Sequence, residues 1–336
     1  MSTRILITGA GGFIGGFIVE EALSRGYETW AGVRKTTSRE HLKNPAIRFI
    51  DFNYGNPDVL ADQLREHKRE HGKWDYIVHN LGVTKCKNPD DFDRINYGFV
   101  KNFTEALVAT DMVPRQFILM SSLGAWGLGD EKGFTPIRPT DTPHPNTRYG
   151  QSKLKAERHL QSLEGFPYVV MRPTGVYGPY EKDYYLMMKS IKYGFDFIVG
   201  YKPQLITFIY VKDLVQAIFK AIDRGVTRRG YFLSEGRAYT SSQFRRYVAA
   251  ALGRRWVIPV KIPIAGLWIV SVIAEEVAGL LGKTSTLNRD KFRIMKQRNW
   301  ICDISDARTE LGFEPQYSLE RGVNECVKWY REHHWL

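Results

Sequence analysis

Cysteine is scarce, with three in 336 residues. Cys86, Cys302 and Cys326 stand far apart with no C-x-x-C spacing, which excludes a disulfide framework or a zinc ribbon and fits free thiols in a reducing compartment. No metal site is expected. Long apolar runs are also missing: the longest, between Ile264 and Ala274, falls well short of the about 20 residues that a bilayer span takes. The chain passes from Met1 into a strand pattern without a basic start or a cleavable apolar stretch, so no signal peptide and a cytoplasmic location are expected. Nor does any dense basic tract alternate with aromatics. The net charge of +12 is scattered along the chain, the pattern of a solvated basic surface, part of which serves an anionic cofactor, rather than that of a nucleic-acid binder.

What is present is the composition of an ordinary globular chain, 43% hydrophobic and 25% charged, which argues against disorder. Short runs rich in Ile, Val, Phe and Tyr recur as RILIT (4–8), ETWAGV (28–33), IRFID (47–51), DYIVH (75–79), QFILMS (116–121) and YVVMR (168–172). Their length and composition suit buried strands. Helix-length segments such as FIGGFIVEEALSR lie between them, and strict strand–helix alternation implies a parallel sheet with helices on both faces. After Arg172 the rhythm breaks into Pro- and Gly-containing loops, further helices and scattered strand candidates, LITFIYV, RGYFLS and RWVIPV. The expected class is α/β, a doubly wound parallel sheet with a smaller mixed α/β C-terminal substrate domain. The expected division is residues 1–172, rejoined by 206–233, against 173–205 and 234–336.

The first strand candidate runs into ITGAGGFIGG. Gly9, Gly12 and Gly15 follow a G-x-x-G-x-x-G spacing at a strand-to-helix turn, where glycine permits a tight turn, close packing of helix on sheet and approach of backbone N–H groups to a pyrophosphate. Phe13 and Ile14 complete the loop. An acid at the end of the second strand would mark NAD. The sequence instead reads GVRKTTS, with Arg34, Lys35 and Ser38 offering forked and hydroxyl donors to a phosphate. NADP(H) is the favoured cofactor and NAD(H) the alternative, and solvated loop charges would read the same way. Asp51 and Phe52, after the third strand, are placed to meet the adenine, although a strand-ending Asp and a core Phe carry the same pattern.

Further along, Tyr149 and Lys153 are four apart in YGQSK and share one face if the segment is helical. An ammonium beside a phenol favours the phenolate and brings a group of pKa near 10 toward working range. Ser121 and Ser122, just past the fifth strand, can present a hydroxyl to a substrate carbonyl or serve as ordinary turn formers.

TGAGGFIG, DF (51–52), IVHNLG (77–82), SSLGAWG, YGQSK, RPTGVYGP (172–179), FIYVKDLVQAI (208–218) and the C-terminal DISDARTELGFEPQYSLERGVNECVKWY together resemble the extended short-chain dehydrogenase/reductase superfamily. It is also called the NAD-dependent epimerase/dehydratase family and is built on a Rossmann domain. The resemblance implies that Tyr149 is the general acid/base, that Lys153 lowers its pKa and binds the nicotinamide ribose, and that Ser122 orients the substrate oxygen, with Ser121 beside the cofactor. It further implies that Pro173, Thr174 and Val176 flank the nicotinamide, that Leu81 and Gly82 line the ribose side, and that Asn96 braces the site from the fourth helix.

Departures from the family pattern narrow the choice. Ile206 stands near where sugar-nucleotide enzymes carry a diphosphate-binding arginine, while Trp126 and Asn80 replace frequent family residues in the pockets. The pattern looks more like the dihydroflavonol-reductase and 3β-hydroxysteroid-dehydrogenase branches. The expected function is an NADP(H)-dependent oxidoreductase acting on a carbonyl or hydroxyl of a largely apolar small molecule; the alternatives are a nucleotide-sugar epimerase or dehydratase and a catalytically idle sensor. A homodimer is compatible with this reading. The stretch Ile262 to Gly282 reads as a pocket wall with Leu267 and Trp268 turned inward, or equally as a buried annex helix. Peripheral membrane contact is disfavoured by Glu275 and Glu276.

Overall fold

The computed structural model describes residues 2–281, 285 and 287–336, so Gly282, the end of the apolar stretch noted above, lies outside the described residues. The chain divides into two compact units. Met1–Ala125, Arg148–Arg172 and Val215–Tyr231 form the first; Trp126–Thr147, Pro173–Leu214 and Phe232–Leu336 form the second.

In chain order the first unit takes β1 (Arg4–Thr8), α1 (Phe13–Ser24), β2 (Glu28–Gly32), β3 (Arg48–Ile50), α2 (Pro57–His71) and β4 (Tyr76–His79). A π-helical turn (Asp93–Gly98), α3 (Phe99–Ala109), β5 (Gln116–Met120), α4 (Arg148–Ser162) and β6 (Tyr168–Pro173) follow. The chain then enters the second unit with β7 (Gly175–Tyr177), α5 (Lys182–Lys192), β8 (Phe195–Val199) and β9 (Leu205–Tyr210). It returns through α6 (Val211–Arg224) and β10 (Arg229–Leu233). The remainder is β11 (Ala238–Thr240), α7 (Ser241–Leu252), β12 (Ile258–Ile262), α8 (Ile264–Leu280), α9 (Arg289–Lys296), β13 (Asn299–Trp300), α10 (Ser305–Leu311) and α11 (Leu319–Glu332).

Seven strands form the large sheet in the order β10-β6-β5-β4-β1-β2-β3. The pairs from β6 across to β3 are parallel. This is the doubly wound arrangement expected, with its strand order reversing beside β1, where ligands of such sheets bind. Ile5, Leu6 and Ile7 are fully buried, as a central parallel strand covered on both faces must be. On one face Leu64, Phe103 and Leu160, from α2, α3 and α4, share a core with Leu6, Ile77 and Phe117. On the other, α1 lies beside α6: Arg25 stacks over Phe219 and pairs with Asp223. Alternation is not strict, because residues 33–47 link β2 to β3 without a helix.

A polar cluster interrupts the apolar core of this unit. Ser121 donates to the Glu157 carboxylate, which also receives Arg172 through Nε at 3.0 Å and Nη2 at 2.9 Å. All three residues are buried. A Cβ at Gly230 would lie 2.6 Å from both terminal nitrogens of that guanidinium, so only glycine leaves the pair its room.

In the second unit β9 is central, pairing antiparallel with β11 and parallel with β13 and β7. Its core gathers Tyr177, Phe208, Tyr210, Phe244, Val323 and Tyr330. Residues 126–147, which the sequence division leaves with the first domain, group here: Asn299 donates to the carbonyls of Asp130 and Thr135 at 2.9 and 2.8 Å, and Ile137 bridges Cys302. Residues 206–214 also group here, because β9 forms the middle of this smaller sheet. β8 and β12 make a separate parallel pair.

Gly230→Ala is expected to push Arg172 off Glu157 and to lower stability by on the order of 3 kcal/mol, the cost of breaking a buried ion pair. Gly266→Ala, where nothing lies within 4 Å of the added methyl, is the control. Urea titration compares them, and equal stability of the two variants would refute the assignment.

Candidate dinucleotide and acid–base site

The site begins where β1 ends. At Gly9 the chain turns with φ +65°, a conformation open to glycine. A Cβ there would stand 2.9 Å from the Asn80 and Leu81 backbone. Gly15 is equally constrained, since a Cβ would collide with the Gly9 carbonyl and with Ala10. These contacts press the start of α1 against β1 and the loop after β4. Gly12 caps α1 without a side chain, and its first turn holds no acid. The helix therefore presents uncapped N–H groups and the positive end of its dipole. A glycine cradle leading to such a helix end fits a dinucleotide pyrophosphate.

Neighbouring loops are tied to this turn. Leu81 N–H donates to Thr8 Oγ1 at 3.2 Å, and Asn80 Nδ2 donates to the Gly9 carbonyl at 3.4 Å. Thr8 Oγ1 also meets His79 Nδ1 at 3.1 Å, and burial lowers the His79 pKa to about 3, keeping the ring neutral. A Cβ on Gly11 would touch the Thr37 methyl and approach the Ser38 carbonyl to 3.3 Å, which puts the loop carrying Arg34, Lys35 and Ser38 beside the glycine turn. Arg34 and Lys35 are exposed, and their side chains make no hydrogen bond or ion pair with any described residue.

Asp51 accepts the Lys35 N–H at 3.0 Å and so fixes that loop, a role the sequence did not suggest. For Phe52 the ring takes the core position that the sequence also allowed. Its ring is buried against Trp74 and Phe103, both at 6.0 Å, because the residue after β3 feeds the aromatic core beneath the sheet.

α4 supplies the chemistry. Tyr149, Ser152 and Lys153 fall on one side of it, and Tyr149 is hydrogen-bonded to Ser122, whose Oγ also accepts the Gly124 N–H at 3.1 Å. Burial raises the Tyr149 pKa and the Ser122 bond opposes that rise. Lys153 is buried and donates to the Met120 carbonyl at 2.8 Å. Desolvation lowers its pKa to about 8, while Glu157 pulls it back upward. In this structure, then, Ser122 rather than Lys153 draws the phenol down. Gly82 borders the lysine: a Cβ there would lie 2.9 Å from Lys153 Nζ and from Asn96 Oδ1.

Asn96 belongs to the π-helical turn before α3. Its Oδ1 accepts Val83 N–H at 2.8 Å, and its Nδ2 donates to the Val83 carbonyl and to Ser152 Oγ, both at 3.0 Å. Ser152 in turn donates to the Tyr149 carbonyl at 2.7 Å. Asn96 thus bridges the loop after β4 to the first turn of α4. Ser152 and Met120 were missed from the sequence; the first was in view within YGQSK, whereas a backbone carbonyl leaves no sequence signal.

The remaining candidates are placed otherwise. The Ser121 hydroxyl donates its proton to Glu157, which leaves it only acceptor capacity. Pro173, Thr174 and Val176 begin the second unit, where Thr174 Oγ1 bonds to the Thr207 carbonyl and hydroxyl at 2.8 Å and Val176 pairs with Ile209. Ile206 lies within β9 between Tyr239 and Trp300. Trp126 is buried edge-on against Phe232 at 5.2 Å. Among the described residues, no cluster of three or more His, Cys, Asp or Glu could hold a metal ion.

The model of the NAD-dependent epimerase/dehydratase family matches residues 5–232, and the chain belongs to that family, that is, to the NAD(P)-dependent enzymes of the extended short-chain dehydrogenase/reductase class. It is similar to a UDP-glucose 4-epimerase of Vibrio cholerae, 29% identical over 98% of this chain and 95% of that one. It is also similar to a 3 beta-hydroxysteroid dehydrogenase/Delta 5-->4-isomerase of Mycobacterium tuberculosis, 22% identical over 97% and 90%. Among solved structures, the UDP-glucose 4-epimerase of Thermus thermophilus in complex with NAD superposes with a TM-score of 0.76 at 20% identity, over 98% of this chain and 99% of that one.

The depressed Lys153 pKa has a measurable consequence. Between pH 8 and the ordinary 10.5 the unfolded chain keeps a proton that the folded protein has released, so stability rises with pH across that window, by up to about 3 kcal/mol. Below pH 8 both states hold the proton and the contribution is flat. Denaturation at stepped pH should show this rise in the wild type and lose it in Lys153→Met; identical profiles would refute the assignment.

Proposed function

We propose that the protein is an NADP(H)-dependent oxidoreductase that reduces a carbonyl, or oxidises a hydroxyl, on a largely apolar small molecule. The observation that carries the reading is the convergence of Ser122, Tyr149 and Lys153, with Gly82 and Asn96, beside a glycine cradle at an uncapped helix end. The unpartnered Arg34 and Lys35 next to that cradle support a 2′-phosphate, and so NADP(H) over NAD(H).

The cofactor, when bound, supplies or accepts the hydride. Gly9, Gly12 and Gly15 with the start of α1 hold its pyrophosphate, and Leu81, Gly82 and Lys153 hold the nicotinamide-side ribose. In the reducing direction Ser122 donates a hydrogen bond to the substrate oxygen and Tyr149 gives it the phenolic proton. A phenol kept protonated by burial suits that step. In the oxidising direction the proton moves from the substrate hydroxyl to a Tyr149 phenolate, with the Ser122 hydrogen bond favouring the charged form.

Tyr149→Phe is expected to retain NADPH binding, read by fluorescence titration, and to lose about 10²–10⁴-fold in turnover. Turnover near that of the wild type would remove Tyr149 from the mechanism. Arg34→Ala should weaken NADPH binding by about 10–100-fold, the equivalent of one charge-assisted hydrogen bond, and leave NADH nearly unchanged. Equal effects on both cofactors would make Arg34 a solvated bystander. A panel of apolar ketones and alcohols, followed by NADPH absorbance, tests the substrate class.

A second reading, a nucleotide-sugar epimerase, is favoured by the 29% identity to the Vibrio cholerae enzyme. Ile206 inside β9 argues against it by leaving an apolar side chain where a diphosphate-binding arginine is expected. Epimerisation of a UDP-sugar without net NADPH consumption would establish it.

A further inference from the structure

α8 is not the buried annex helix that the sequence allowed, and Trp268, expected to turn inward with Leu267, is 41% exposed. Only Leu267 and Ser271 are buried along its 17 residues. Trp268 lies edge-on to Phe292 of α9 at 5.2 Å, and Arg289 of α9 pairs with both Glu275 and Glu276. These residues mark the seam along which α8 rests. At about 100° per residue the opposite side of the helix carries Ile269, Val270, Ile273, Val277 and Leu280, and these are 49–88% exposed. The outer face of an ordinary surface helix is polar; this one is apolar along its length.

The β8–β12 pair repeats the pattern. Phe195 and Phe197 are exposed on either side of buried Asp196, and the register sets Ile258 beside Phe195 and Val260 beside Phe197. Trp256, at the approach to β12, is 85% exposed. The patches adjoin, because β12 enters α8 through Pro263 and a Cβ on Gly200, after β8, would lie 3.4 Å from the Ile264 side chain.

Charge within this stretch of the chain is mostly of one sign, and the acids that reach it from α5, β8 and α9, Asp183, Asp196 and Asp290, are each paired with a cation. From Ser241 to Leu281 the only acids are Glu275 and Glu276, both paired with Arg289. The same stretch holds Arg245, Arg246, Arg254, Arg255 and Lys261, of which Arg245 is engaged by Asp196. Arg255 flanks Trp256 and makes no hydrogen bond or ion pair with any described residue.

We propose that this face of the second unit seats the protein on an anionic lipid bilayer, with α8 lying in the plane of the interface and Trp256 and the β8–β12 aromatics beside it. Apolar side chains rimmed by cations and an interfacial tryptophan suit that surface. At 17 residues the helix is about 25 Å long, and no helix among the described residues is long and apolar enough to cross a membrane. A second copy is the poorer occupant, since a two-fold contact through the same face sets each rim of cations against its twin.

Flotation of the full chain with phosphatidylcholine vesicles containing about 30% phosphatidylglycerol, a content chosen to give strong anionic charge, decides the matter. The wild type should float with these vesicles and bind pure phosphatidylcholine at least about tenfold more weakly. Ile273→Glu/Val277→Glu and, separately, Trp256→Ser should each cut binding by about tenfold or more, with NADPH affinity and melting temperature unchanged. No flotation of the wild type, equal binding to neutral vesicles, or undiminished flotation of the double variant overturns the proposal. So does a wild-type dimer that fails to float and that the double variant converts to a monomer, which would assign the face to a second copy.

Discussion

The close approach of two backbones at Gly9 and Gly15 is the constraint on which the candidate site depends. With no side chain at either position, the Gly9 carbonyl sits against the first turn of α1 and the loop after β4 lies against Gly9. Three consequences meet there. The start of α1 is left without a side-chain cap; the loop bearing Arg34 and Lys35 closes on Gly11; and the loop holding Leu81 and Gly82 is carried toward Lys153. A methyl group at Gly9 or Gly15 would separate layers that several other contacts assume to be touching.

Buried polar bonds then set the angles that packing alone would leave loose. Asn96 joins the loop after β4 to Ser152 and, through it, to the Tyr149 carbonyl, so the phenol's helix turns with the loop that borders the lysine. One turn beyond Lys153 on α4, Glu157 gathers Ser121 and Arg172 and lends its charge to Lys153. Each bond is worth little net, but a buried member left without its partner is costly. The two networks therefore fix α4 in rotation as well as in position.

Much of this was legible in the sequence, and the reason differs from element to element. The strands of the large sheet announce themselves because a strand covered on both faces must be apolar throughout, and the glycine turn because few backbones tolerate its geometry. Tyr149 and Lys153 were legible through their spacing and order. The bond from Ser121 to Glu157 was not legible, because side-chain direction at a strand end depends on which charge waits below it, and this one sits far off in sequence. For Phe52 the sequence left a core ring and an adenine contact equally open, because its ring neighbours, Trp74 and Phe103, come from the loop after α2 and from α3. The two-residue β13 and three-residue β7 and β11 were illegible because their pairing is dictated by β9 rather than by any pattern of their own. In α8 the apolar run was plain, but which side of it faced outward was not, since a helix apolar all round has no moment to orient it.

The space that Gly230 leaves for the Arg172 guanidinium also bears on substitution. The two positions lie on different strands, far apart in the chain, yet they share one volume. A side chain gained at 230 would have to displace the guanidinium at 172, and losing that base would strand the Glu157 carboxylate in the core. Position 230 is therefore coupled to 157 and 172 through space: what a side chain there would cost depends on whether the guanidinium and its carboxylate are kept.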